Sequence, residues 1–214
     1  MINAAIQIPL LHCTQQHDEH GNSERYLWFT YFFADATTIL APDPISVFVP
    51  SVPDTRAQYP DNIGDNRDIP IPTEVGRFEV NLEGGASNLA MLGVLAVLFE
   101  EDDTASEAIA AGYDAFPLAV SQALNKFVKE NGPKVPNDDE IKKIVSDIYT
   151  PVYNAIKDKV SFWSGLWDDQ DDFIGFSHAL FVRADLAEPA TPTVKELGLA
   201  PIAQKVNVSG RTQP

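Results

Sequence analysis

Long apolar runs, separated by polar segments rich in Pro, Asp and Asn, make up the first hundred residues of this chain. Residues 25–34 are dense in aromatic and β-favouring side chains, and residues 78–82 alternate apolar with polar positions. Residues 89–99 are apolar with no helical period. These patterns predict three strands, the last of them central and buried. Two shorter apolar runs predict further strands at residues 6–11 and 45–49.

The apolar positions change to a helical period after residue 104. Thr104 and Glu107 have the spacing of a capping box, in which each side chain satisfies a free amide of the other residue. The Asn-Gly-Pro sequence at 131–133 predicts the end of this helix. Acidic residues at 137–140 predict the start of a second helix, whose apolar period continues to Val160. Both helices contain a proline that predicts a kink, namely Pro117 and Pro151.

The order of elements predicts a single domain that spans residues 1–214. Residues 50–72 have the composition of a loop, residues 173–182 read as a strand, and residues 204–208 fit a last edge strand. Strands therefore precede and follow a pair of helices at 104–167. This order predicts an all-β domain with a helical insertion (α+β), in which an antiparallel β-sandwich carries a two-helix hairpin.

The charge balance restricts the partners of the chain. With 15 Lys plus Arg and 31 Asp plus Glu, the formal net charge is −16. Nucleic acid and unaided binding to an anionic membrane are disfavoured, because both need clustered basic residues. A single cysteine, Cys13, excludes an internal disulfide. No apolar run is long enough to span a bilayer and no standard secretory signal is visible, so a cytoplasmic location is the default expectation, with export by another route left open.

The acidic residues gather at the ends of predicted strands. They form three clusters, which are Asp18, Glu19 and Glu24, then residues 100–103, then residues 168–172 without Gln170. Clustered carboxylates repel one another, and calcium is the hard cation that prefers a shell of several oxygen ligands. The clusters therefore suggest a calcium site, whereas the simpler interpretation is a solvated acidic surface.

The first cluster carries a recognisable spacing. From Asp18 onward, Gly follows at +3, Ser at +5, a second acid at +6 and Tyr at +8, and the segment runs directly into a predicted strand. This resembles the first calcium loop of C2 domains, the calcium-dependent phospholipid-binding β-sandwiches, whose pattern there is Asp-x-x-Gly-x-Ser-Asp-Pro-Tyr. Glu24 stands where the family has Asp, and Arg25 stands where it has Pro.

Two later segments are similar to the third calcium loop of the same family. The apolar strand at 94–99 runs into the acids at 100–102, where the family has Asp-x-Asp, and the Asp-Phe-Ile-Gly sequence at 172–175 resembles the exit from that loop. The resemblance implies five ligands for one calcium ion: Asp18, Glu24, Glu100, Asp102 and Asp172. A shift of one position, with Glu101 and Asp103 in place of Glu100 and Asp102, stays open.

By this resemblance the chain is a non-enzymatic, calcium-binding C2-like module whose helical hairpin lies within the third calcium loop. Its partners would be calcium and either a phospholipid membrane or a protein, and its oligomeric state is not predicted. Two other functions stay open: a hydrolase that uses a pair of acids, and a structural or toxin-like effector module whose acidic loops bind no metal.

Other metal chemistry fits the sequence less well. His17 and His20 flank the first acidic cluster, but their spacing is not that of a zinc helix. Residues 168–172 lack the glycine and the final glutamate of an EF-hand loop. Cys13 lies in or beside an apolar strand, which favours a buried and inert thiol.

Overall fold

The structure is a computed structural model that describes residues 2–13, 24–35, 37–38, 56–59, 67–83, 90–101, 106–132, 134, 136–159 and 173–186. In chain order its elements are β1 (Ile2–Gln7), β2 (Leu10–Cys13), β3 (Glu24–Ala34), β4 (Arg56–Tyr59), β5 (Arg67–Pro70), α1 (Thr73–Gly76), β6 (Arg77–Leu82), β7 (Met91–Glu101), α2 (Ser106–Asn131), α3 (Asp138–Lys159), β8 (Phe173–Val182) and α4 (Arg183–Leu186). The fold is thus a mixture of helices and antiparallel sheets, which confirms the α+β expectation.

A four-stranded antiparallel sheet, here called the central sheet, organises these elements. Its strand order is β4-β3-β7-β8, and β3 pairs with β7 along the full length of both strands. Two smaller antiparallel pairs, β1-β6 and β2-β5, complete the described strands. The strands predicted at 25–34, 78–82, 89–99 and 173–182 are therefore confirmed.

Both faces of the central sheet are covered, which explains why β3 and β7 are apolar at nearly every position. Alternate side chains of β3 point to opposite faces. Trp28 and Phe32 pack with the helices on one face, whereas Phe29 and Tyr31 pack with β1, β6 and α1 on the other. Continuous apolar strands are what a sheet with two covered faces requires.

The helical layer consists of α2 and α3, which connect the neighbouring strands β7 and β8. Apolar side chains of both helices form one core with the central sheet, and Tyr113 meets the Trp28 ring edge to face at a centroid distance of 5.7 Å. Gly132 has a φ of 74° and ends α2, as the sequence predicted. Both helices are continuous through the prolines at 117 and 151.

A reciprocal capping box holds the start of α3. The Glu140 amide donates to Asn137 Oδ1 at 3.0 Å, and the Asn137 amide donates to Glu140 Oε2 at 2.9 Å. Lys134 also binds Glu140, at 2.6 Å. The prediction that a helix begins at 137–140 is confirmed, and its mechanism is the one predicted for Thr104 and Glu107. The predicted capping box itself includes Thr104, which lies outside the described residues.

The opposite layer is built on β1 and β6. The predicted alternation at 78–82 is confirmed, because Phe78, Val80 and Leu82 face the core while Glu79 and Asn81 are exposed. The Phe78 ring stacks on Tyr31 with centroids 5.2 Å apart. The Tyr31 hydroxyl donates to the carbonyl oxygen of Val75 at 2.8 Å, and burial raises the pKa of this tyrosine. These contacts attach the small layer to the central sheet.

Two predictions for the first part of the chain need correction. The single strand predicted at 6–11 is divided between β1, which pairs with β6, and β2, which pairs with β5. Residues 8 and 9 lie between the two strands, where the Ile8 amide donates to the Gly76 carbonyl at 2.7 Å and the Pro9 carbonyl accepts from the Ile71 amide at 3.0 Å. The loop predicted for 50–72 contains β4 and β5, which pair with β3 and β2. The strands predicted at 45–49 and 204–208 lie outside the described residues.

Candidate functional site

Three ends of neighbouring strands meet at one end of the central sheet, which we call the acidic end. They are the start of β3 at Glu24, the end of β7 at Glu101 and the start of β8 at Phe173. The acidic clusters predicted from the sequence are contiguous in the chain with these strand ends. Of the five predicted ligands, Glu24 and Glu100 lie in described strands, whereas Asp18, Asp102 and Asp172 lie outside the described residues.

The pairing of β3 with β7 determines which acidic positions share a face. Glu24 lies opposite Glu101, and Arg25 lies opposite Glu100. Directly opposite positions in an antiparallel pair belong to the same face of the sheet. Position 24 therefore shares a face with position 101, and position 25 shares the other face with position 100.

The packing of the same strands shows which layer each face meets. Trp28 lies opposite Val97, and both pack with the helices. Because faces alternate with a period of two, positions 24 and 101 belong to the helix-facing side of the sheet. Positions 25 and 100 belong to the side of Leu27 and Leu98, which pack with the small β layer.

The start of β8 lies beside the end of β7. Phe173 pairs with Phe99, and a register shift follows between Leu98 and Phe99. Bulges of this kind are frequent next to functional sites and at sheet edges, where they change the direction of a strand. The acidic run at 168–172 directly precedes β8 in the sequence, and the register shift lies at the start of this strand.

The acidic end combines like and unlike charges across one strand pair. The Glu24–Glu101 pair sets two acidic residues opposite each other, which destabilises an antiparallel pair unless a cation offsets the repulsion. The neighbouring Arg25–Glu100 pair sets opposite charges across the strands.

Within the described ranges, no group of three or more His, Cys, Asp and Glu residues is arranged to hold a metal ion. The predicted calcium ligands fall mostly outside those ranges, as do His17 and His20. The described histidine of β2, His12, binds Asp68 through Nδ1 at 2.7 Å across the β2–β5 pair, and both side chains are exposed. Cys13 is the last residue of β2, which agrees with its predicted place in or beside a strand.

Sequence reasoning missed a buried carboxylate at the other end of β3. Asp35 is 1% exposed and accepts hydrogen bonds from the Thr37 amide and hydroxyl, the Thr38 amide and the Glu83 amide, at 2.6–3.2 Å. Burial alone would raise its pKa, but these hydrogen bonds outweigh burial and hold the pKa of Asp35 below the ordinary value. The carboxylate joins the exit of β3 to the exit of β6.

A sequence signal for this residue existed. Asp35 is followed by threonines at +2 and +3, which is the pattern of a turn closed by side-chain hydrogen bonds. The Thr38 hydroxyl completes the turn with bonds of 3.0 Å to the backbone of Asp35. With four donors on its two oxygens, this carboxylate has a structural role.

In the part of the chain that the structure describes, no helix has the length and apolar character needed to cross a membrane. No model of a known protein family, no curated protein and no solved structure matches this chain.

Proposed function

We propose that the acidic end binds calcium and that the chain is a non-enzymatic, C2-like calcium-binding module. The observation that carries the proposal is the convergence of three strand ends, each contiguous with an acidic cluster, around the cross-strand pair of Glu24 and Glu101. Two acids opposite each other in a strand pair repel. A divalent cation that both carboxylates bind offsets this repulsion with its positive charge. In this proposal the pair α2 and α3 is the insertion within the third calcium loop.

The register of β3 and β7 supports one of the two ligand sets. Glu24 shares its face with Glu101, whereas Glu100 shares the other face with Arg25. Glu101 is therefore a better second ligand than Glu100 for a cation bound by Glu24. Because residues two apart in an extended chain face the same side, Asp103 is the ligand that accompanies Glu101. We propose Asp18, Glu24, Glu101, Asp103 and Asp172 as ligands, in preference to the set that contains Glu100 and Asp102.

Calcium would act by neutralising the acidic residues that adjoin the strand ends at this end of the sheet in the sequence. In a chain with a net charge of −16, calcium binding lowers the repulsion among these carboxylates. The calcium-bound acidic end can then contact a phospholipid membrane or a protein. The surface adjoins the helical layer, since positions 24 and 101 lie on the helix-facing side of the sheet.

Thermal unfolding in calcium and in chelator tests the proposal. A ligand that binds the native state at about 100 times its dissociation constant adds about 2.7 kcal/mol. For a chain of this size we expect the Tm in millimolar calcium to exceed the Tm in chelator by roughly 5–10 °C. Equal Tm values in calcium and in chelator would contradict calcium binding.

Single variants test the ligand register with the same measurement. Glu101→Gln should abolish most of the calcium-induced rise in Tm, whereas Glu100→Gln should keep it. Asp139→Asn is the matched control, because Asp139 lies on α3, is exposed and pairs with Lys142 at 3.1 Å. If Glu100→Gln loses the calcium-induced rise in Tm and Glu101→Gln keeps it, the ligands are the set that contains Glu100 and Asp102. If Glu100→Gln, Glu101→Gln and Asp139→Asn all lose it equally, calcium binds a diffuse acidic surface and not one site.

A further inference from the structure

We draw no further inference here: the strongest candidate, the outer edge of β8 at the margin of the central sheet, carries nothing because nothing in the described part of the structure shows what covers it.

Discussion

At the scale of single residues, Asp35 is the charged side chain whose loss we expect to cost most among the described residues. Its carboxylate accepts hydrogen bonds from three residues and links two strand exits. In Asp35→Asn one oxygen becomes an amide nitrogen, so a donor faces a donor. We expect the free energy of unfolding at neutral pH to fall by about 2–3 kcal/mol. Asp114→Asn, an exposed position on α2, is the matched control and should change stability little.

The same residue predicts a pH dependence of stability. Because the pKa of Asp35 is lower in the folded chain than in the unfolded chain, its contribution is present above the ordinary aspartate pKa of roughly 4. This contribution is lost as the pH falls through the folded-state pKa. The difference in stability between the native chain and Asp35→Asn, measured by denaturant unfolding, should therefore shrink below about pH 4. A difference that stays constant into acid would show that the charge of Asp35 contributes nothing.

Gly93 is the second residue whose identity the packing requires. It lies opposite Phe32, and the Phe32 ring occupies the space that a Cβ at position 93 would need. Phe32 is buried beneath the helices, so its ring has little room to move. We expect Gly93→Ala to lower the free energy of unfolding by about 1–3 kcal/mol.

A double-variant cycle checks this account of Gly93. Phe32→Leu removes the ring that obstructs the new methyl group. The loss in Gly93→Ala combined with Phe32→Leu should therefore be smaller than the sum of the two single losses. Additive losses would mean that the ring and the glycine are not coupled.

At the scale of elements, the sequence predicted the long elements well and missed two of the short strands. The helical period and stop signals located α2 and α3, and the apolar runs located β3, β7 and β8. Strands β4 and β5 were missed because they are short and carry Arg56, Arg67, Asp68 and Pro70, residues typical of loops or protected sheet edges. Such strands form because a partner strand is present, and local sequence does not show the partner.

The helical layer gives a prediction of its own. Val120 and Leu124 of α2 and Ile148 of α3 share a core with Trp28 and Leu95 of the central sheet. Among the described residues, this core includes none from the acidic end. We expect amide hydrogen exchange at the three helical positions to be equally slow with and without calcium, measured by mass spectrometry or NMR.

Calcium should affect amides only near the acidic end, at the start of α2 and the start of β8. A general slowing of exchange along α2 and α3 on calcium addition would contradict this prediction, because it would mean that the metal controls the docking of the helices.

At the scale of the whole molecule, the central sheet separates a helical layer from a small β layer. The apolar composition of β7 predicted burial, but not which layer covers each face of the sheet, because that depends on pairings between distant parts of the chain. The candidate site shows the same limit. The sequence located the acidic clusters at strand ends, whereas our proposal of Glu101 in preference to Glu100 rests on the pairing of β7 with β3.

In our proposal the acidic end binds calcium, and calorimetric titration of calcium into the metal-free full chain tests that claim most directly. We predict one saturable binding event for the native chain and for Asp139→Asn. Asp172→Asn should bind at least about tenfold more weakly, a loss of about 1.4 kcal/mol in binding free energy. Absence of saturable heat in the native chain, or equal affinity in the native chain and Asp172→Asn, would contradict the claim.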